Sequence, residues 1–242
     1  MSLKQRLDVA MAERGLAATR SQAESAIRLG QVKVNDRVVT KNGTIVSEAD
    51  QITSAADSHY VGRAALKLQS AAAAFRLDFK GKTVLDVGSS TGGFTQYALE
   101  NGAAKVIAVD VGTDQLHPSL HGNERIELHE KTDIRDFTTP QKIDMVVGDV
   151  SFISLREILP HVATLVDTHA DIVAMVKPQF EAGQSGAKHK GVIKNDKMRR
   201  DILKDFETWA AQRFKIIAKA DSEVPGSKGN VERFYVLRRL AP

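Results

Sequence analysis

The chain has 242 residues, 42% hydrophobic and 26% charged, with a net charge of +4 and no cysteine. Disulfides, thiolate catalysis and cysteine-ligated zinc are thereby excluded, and no run reaches the roughly 18 apolar residues that a membrane helix requires. Lys and Arg outnumber Asp and Glu by 14 to 8 over residues 178–242, against 8 to 7 over residues 1–60 and 12 to 15 over residues 61–177, a basic last third that suits a polyanionic partner or a solvated face.

The opening MSLKQRLDVAMAERG mixes charged and apolar residues and has no apolar signal-peptide block, so a soluble, cytoplasmic protein is expected. Leu3, Leu7, Ala10 and Met11 repeat at helical spacing and predict a helix over residues 3–14, closed by Gly15. A second helix is predicted from about Ser21 to Leu29, capped by Thr19 or Ser21 and stopped by Gly30. Short extended pieces follow at residues 32–34, 38–39, 45–46 and 51–53, with turns at Asn35-Asp36 and Asn42-Gly43. Residues 1–58 thus read as a small α+β domain ending in the linker Ala55-Ala56-Asp57-Ser58.

From Tyr60 the pattern becomes alternating helix and strand, the mark of a parallel sheet covered on both faces. A helix is predicted over Val61–Phe75. Strands are predicted at Thr83–Val87, Val106–Asp110, Ile126–His129, Ile143–Asp149, Ile172–Lys177, Phe214–Ser222 and Glu232–Leu237. Helices fall at Thr91–Asn101, Ser154–Val166 and Lys197–Arg213. The expectation for residues 59–242 is a doubly wound, seven-stranded Rossmann-like α/β domain.

The densest chemical signal is Asp86-Val87-Gly88-Ser89-Ser90-Thr91-Gly92-Gly93-Phe94, a buried strand running through a glycine-rich turn into a helix. Asp110 ends the next strand, 22 residues past Gly88, where a carboxylate grips a ribose hydroxyl pair. A dinucleotide calls for glycine where Ser90 stands, and Asp86 suits a cationic ammonium rather than a pyrophosphate. The turn therefore fits S-adenosyl-L-methionine (SAM), which carries an amino acid, a ribose and no phosphate. Asp133 and Ile134 follow the third strand, where Asp133 suits either an adenine amino group or a helical cap. Asp149 ends the fourth strand at the ligand-binding edge, and Phe152 suits either a base or the core.

Lys177 ends the apolar strand Ile172-Val173-Ala174-Met175-Val176, where burial is costly unless the amine is paired or used. Lys67 and Glu232, judged on spacing alone, read as surface residues. His117 and His121 flank Pro118 without a third ligand, so no metal site is expected.

Together Arg63-Ala64-Ala65-Leu66-Lys67-Leu68, the Asp86–Phe94 turn, Gly148-Asp149-Val150-Ser151-Phe152, Val176-Lys177-Pro178-Gln179-Phe180-Glu181 and Asn230-Val231-Glu232 resemble the TlyA family. These are ribosomal RNA 2′-O-methyltransferases, often named haemolysins, with an FtsJ-like catalytic domain. The N-terminal stretch, from Arg6-Leu7-Asp8 through Thr19-Arg20-Ser21 to Val32-Lys33-Val34-Asn35, is similar to the S4 RNA-binding domain. The likeness spans nearly the whole chain, with one departure at Gly62-Arg63-Ala64-Ala65, where relatives carry serine and glycines.

The resemblance implies a catalytic tetrad of Lys67, Asp149, Lys177 and Glu232. Lys177 is then the base for a ribose hydroxyl, favoured in its neutral form by the like charge of Lys67 and by burial, and oriented by Asp149. Glu232 positions Lys67 or the ribose. The implied partner is ribosomal RNA or a ribosomal subunit, and the implied target a cytidine. Arg6, Arg20, Arg28, Lys33 and Lys41 are candidate RNA contacts, and Lys188 and Lys190 belong to a glycine-rich loop read as a lid. The competing readings are a membrane-active haemolysin, which would need an apolar or amphipathic membrane segment, and a non-catalytic RNA-binding protein that keeps the fold.

Overall fold

Residues 4–54 alternate short helices with three-residue strands: β1 (Lys4–Arg6), α1 (Leu7–Glu13), α2 (Arg20–Arg28), β2 (Val32–Val34), β3 (Arg37–Val39), β4 (Ile45–Ser47) and β5 (Ile52–Ser54). The computed structural model describes residues 4–17, 20–28, 30–54, 60–183, 191–226 and 229–241, with backbone alone at residues 21, 22, 25 and 28. It divides into two compact units, Met1–Arg63 and Ala64–Pro242.

In the first unit the helical spacing works as expected. Leu7, Ala10 and Met11 of α1 and Ala23, Ala26 and Ile27 of α2 close on Val32, Val46 and Ile52 of the strands. β2 lies between β3 and β5, and Asn35 and Asp36 both take positive φ (48° and 64°) in the tight β2–β3 hairpin. The predicted helix over residues 3–14 is corrected at its start. Lys4–Arg6 is extended because β4 offers it a backbone partner, with Gln5 opposite Val46. Local periodicity carries no trace of so distant a pairing.

The second unit begins with α3 (Arg63–Phe75) and β6 (Thr83–Val87), followed by α4 (Gly93–Glu100), β7 (Lys105–Val109), β8 (Ile126–His129) and β9 (Ile143–Gly148). It continues with α5 (Leu155–Val162), β10 (Val166–Val176), α6 (Pro178–Glu181), α7 (Asp196–Ala210), β11 (Phe214–Asp221) and β12 (Arg233–Arg239). Among the described residues seven strands form the central sheet, in the order β11-β12-β10-β9-β6-β7-β8. All neighbours run parallel except β12, which is antiparallel to β10 and β11. The doubly wound expectation holds.

β6 and β7 are nearly continuous apolar runs, as strands covered on both faces must be. Leu85, Ile107, Val146, Ile172, Phe206 and Tyr235 belong to the core cluster packed on them. The chain leaves β6 for β7 and β8, then returns to β9 on the other side of β6. That reversal opens a crevice above the carboxyl ends of β6 and β9, the place where sheets of this kind bind ligands. Two boundaries differ most from prediction. α5 stops at Val162 and β10 starts at Val166, not Ile172, its first half alternating in exposure and joining β9 only at Val166–Ile143 before the register shifts. The polar run Asp167-Thr168-His169 masks that extension in the sequence.

Candidate active site

The turn between β6 and α4 is built from left-handed backbone, with φ of +79° at Gly88, +46° at Ser90 and +88° at Gly92. A Cβ on Gly88 would stand 3.1 Å from the Asp149 carbonyl oxygen, so glycine lets the loops after β6 and β9 meet. Asp110, at the end of β7, accepts the Ser90 N–H at 2.8 Å and the Gly112 N–H at 2.7 Å, which ties the turn to the neighbouring strand.

A cavity of about 460 Å³ lies over these strand ends, walled by Gly88, Ser90, Asp110, Asp133, Ile134 and Asp149 among others. A smaller cavity of about 150 Å³ shares Gly88, Ser90, Asp149 and Ser151 with it and adds Ser89, Thr91, Phe94 and Lys177. A larger and a smaller chamber therefore share the wall formed by Gly88, Ser90, Asp149 and Ser151. Val111, Gln115 and Thr132 also line the larger one, and nothing in their residue types announces it in the sequence.

Three residues of the glycine motif lie elsewhere than the sequence suggests. Asp86 was expected to face the cofactor, yet it is wholly buried under the turn and lines neither cavity. Its Oδ2 accepts the Thr95 hydroxyl at 2.6 Å, while Oδ1 has no hydrogen-bond partner. Burial pushes its carboxyl up to about 7, against the Thr95 hydrogen bond, which favours the ionised form. Gly92 faces Leu120 and Leu116, which a Cβ would meet at 2.4 and 2.7 Å. Gly93 faces α3, where a Cβ would stand 2.9 Å from the Ala65 nitrogen. These two glycines allow close packing of the turn and of α4, and neither lines either cavity.

Asp133 keeps its place on the cavity wall. The Arg135 side chain, 2.6 Å away at its closest, and the Arg135 N–H hold its carboxyl below the usual range. His117 and His121 belong to a turn: His117 Nδ1 lies 2.8 Å from the Ser119 hydroxyl, and His121 Nε2 lies 3.0 Å from the Leu116 carbonyl.

Lys177 leaves the end of β10 with only 8% of its surface exposed. Its ammonium stands 2.6 Å from Asp149 Oδ1 and donates to Ser151 Oγ at 2.7 Å. The Phe180 ring lies 5.9 Å from the same nitrogen. Ser151 is a contact that sequence reasoning missed; its only signal is its place two residues after Asp149.

Lys67 and Glu232 read as surface residues on spacing alone, and the structure buries both. Lys67 Nζ donates to Glu232 Oε2 at 2.5 Å, joining α3 to the segment before β12. Gly226 backs this pair, since a Cβ there would stand 2.8 Å from Glu232 Oε1. The four residues of the expected tetrad are thus two ion pairs. Asp149 and Lys177 line the small cavity, and Lys67 with Glu232 lines neither.

In the first unit Lys33 and Lys41 are exposed. Arg6 and Arg20 are committed elsewhere than expected, for both bind the wholly buried carboxylate of Asp8 at 2.9 Å. The Arg28 side chain and the loop holding Lys188 and Lys190 lie outside the described residues. Among the described residues no helix is long and apolar enough to cross a membrane.

Residues 60–240 match the family model of FtsJ-like methyltransferases, and residues 5–52 match the S4 domain. The 16S/23S rRNA (cytidine-2′-O)-methyltransferase TlyA of Mycobacterium tuberculosis is 38% identical over 244 residues, covering 98% of this chain and 91% of that protein. The chain belongs to the TlyA family. A second TlyA relative, the 23S rRNA (cytidine-2′-O)-methyltransferase of Campylobacter jejuni, is 44% identical over 178 residues, 73% of this chain and 70% of its own. A solved Streptococcus thermophilus structure named as a hemolysin superposes with a TM-score of 0.74 at 33% identity, covering 98% of this chain and 88% of that one. Haemolysin and rRNA methyltransferase are thus names carried by members of one TlyA fold.

Proposed function

We propose that this protein transfers a methyl group from SAM to the 2′-hydroxyl of a cytidine ribose in ribosomal RNA. The observation that carries the reading is Lys177. It is a nearly buried amine on the wall of the smaller cavity, held by Asp149 and Ser151, which line both cavities. The larger cavity suits the nucleoside part of the cofactor. Its Asp110 carboxylate suits a ribose hydroxyl pair, and Asp133 and Ile134, which line the same cavity, suit an adenine. SAM, when bound, supplies a methyl group activated by a sulfonium.

The chain's own part is to deprotonate and orient. Bound SAM would supply the methyl group that the ribose oxygen accepts, and Lys177 would take the 2′-hydroxyl proton at Nζ. Asp149 then faces the new ammonium at ion-pair distance, and Ser151 Oγ fixes its direction. Lys67 and Glu232, paired with each other, tie α3 to the segment before β12. Phe152 carries φ of +68° and is 92% exposed beside the larger cavity, an aromatic face offered to a base. In the S4 unit, Lys33 and Lys41 serve phosphate contacts that position the RNA without specifying it.

The test is transfer of labelled methyl from SAM to purified ribosomal subunits, with Lys177→Ala in parallel. The wild type is expected to label a ribose. The variant is expected to lose on the order of a hundredfold or more in rate while still binding SAM. A variant as active as the wild type would remove Lys177 from the chemistry. Wild-type protein that binds SAM but labels neither subunit would overturn the substrate.

A further inference from the structure

The loop after β9 and the segment after β10 run side by side, and the structure joins them three times. The first joint is the reacting pair, Asp149 and Ser151 with Lys177 at 2.6 and 2.7 Å. The second is aromatic, with the Phe152 and Phe180 rings 5.4 Å between centroids. The third is formed by Glu181, which the reaction itself does not use. Its carboxylate is 1% exposed and accepts the Leu155 N–H and the Ser154 hydroxyl, each at 2.7 Å, with Arg156 Nε at 3.3 Å. Arg156 is anchored in turn by Asp205 of α7 at 2.7 Å.

The direction of that burial is informative. Removal from water pushes the Glu181 carboxyl up, and the Ser154 and Leu155 donors oppose the push. A buried carboxylate is costly unless it is paired and hydrogen-bonded, and the groups that do this for Glu181, namely Ser154, Leu155 and Arg156, all belong to the opposite segment. Lys177 stands four residues before Glu181, and its carbonyl accepts the Phe180 and Glu181 N–H groups in the turn of α6. Asp149 stands five residues before Ser154 on the opposite segment. Whatever fixes Glu181 against Ser154 therefore fixes the spacing across which Lys177 meets Asp149.

We propose that Glu181 is a positioning residue. By tying α6 to the start of α5, it sets where the Lys177 amine stands relative to Asp149 and Ser151, and it holds Phe180 beneath Phe152. The proposal rests on the methyltransferase reading for its kinetic consequence and on geometry alone for its structural one, so the two are tested separately.

Glu181→Gln keeps the side-chain volume and one acceptor for the Leu155 N–H, and it places an amide donor against the Ser154 hydroxyl and Arg156. Ser154→Ala removes the same joint from the other side and decides the matter if Glu181→Gln does not fold. The structural readout is the 15N resonance of the Lys177 side-chain nitrogen in full-length protein, assigned by its loss in Lys177→Arg. Both variants are expected to shift that resonance. The kinetic readout is methyl transfer below the variant's melting temperature. There kcat is expected to fall by about ten- to a hundredfold, the size of effect expected for a displacement of an ångström or less, with the affinity for SAM unchanged.

An unmoved Lys177 resonance in a folded variant overturns the proposal, as does an unchanged kcat with only a lowered melting temperature. A shifted resonance in a protein whose wild type labels no RNA supports the positioning and overturns the assigned reaction instead.

Discussion

Asp8 and Asp86 are both wholly buried carboxylates, and their surroundings settle the cost of burial in opposite ways. Asp8 has two arginines, and the hydrogen bond from Arg6, with Arg20 beside it, holds its carboxyl well below the usual range. Because the folded pKa is depressed, its contribution to stability is present above the unfolded pKa of about 4 and is lost as pH falls towards the folded one. Replacing both Arg6 and Arg20 by alanine strands the charge and is expected to lower stability, read by denaturant unfolding of the full chain. An RNA-binding defect in that double variant would report the fold before any phosphate contact. Asp86 has only Thr95, and its carboxyl is raised to about 7. Its contribution runs the other way: full below about pH 4 and lost as pH rises through about 7. Asp86→Asn keeps an acceptor for Thr95 and is expected to gain stability over the wild type as pH goes from 5 to 8. Melting curves of the two that stay parallel across that range would sink the argument. Neither environment is visible in the sequence, where Asp8 is one polar residue on an amphipathic helix and Asp86 looks like a ligand.

At the scale of elements, the glycine turn shows what a local motif can and cannot say. The run from Gly88 to Gly93 reads as a single ligand cradle, and its existence and place were legible because a buried strand, a turn and a helix follow one another directly. The division of labour within it was not legible, because it depends on what other elements bring to each glycine. The loop after β9 brings the Asp149 carbonyl to Gly88, and α3 brings the Ala65 nitrogen to Gly93. Two substitutions separate these roles. Gly93→Ala is expected to cost about 1–3 kcal/mol of stability by overpacking α4 on α3, with SAM affinity retained. Gly88→Ala forces a side chain into φ of +79° against the Asp149 carbonyl and is expected to lose SAM affinity by more than tenfold. Calorimetric titration beside thermal unfolding distinguishes them, and equal losses of affinity would show that the turn acts as one unit. The same logic explains β1 and the first half of β10. Both take strand form from a partner elsewhere in the chain, so periodicity and composition do not reveal them.

At the scale of the molecule, the proposed chemistry and the proposed RNA contacts fall in different parts of the chain. The residues that line the two cavities all lie at or beyond Ala64, drawn mainly from the ends of β6, β7, β9 and β10. The ion pair of α3 with Glu232 reaches across the same unit. This spread is why Lys67 and Glu232 carried no signal of their own: each is an ordinary surface-type residue until the fold brings it to its partner. Among the described residues the S4 unit supplies none of these cavity walls, and it offers Lys33 and Lys41 to solvent. A chain beginning at residue 59 is therefore expected to bind SAM within about twofold of the full-length affinity, a difference well under 1 kcal/mol. Its affinity for ribosomal RNA is expected to fall, because phosphate contacts supply much of nucleic-acid affinity. The loss has a diagnostic form. Each phosphate contact removed flattens the slope of log affinity against log salt by roughly 0.7–0.9, so the truncated chain should bind more weakly and also with less salt sensitivity. Loss of affinity at an unchanged slope would mean that the S4 unit reads RNA by shape or stacking instead of charge. A truncated chain that methylates ribosomal RNA at the full-length KM would show that recognition resides in the catalytic unit, in which case the basic residues beyond 178 become the place to look.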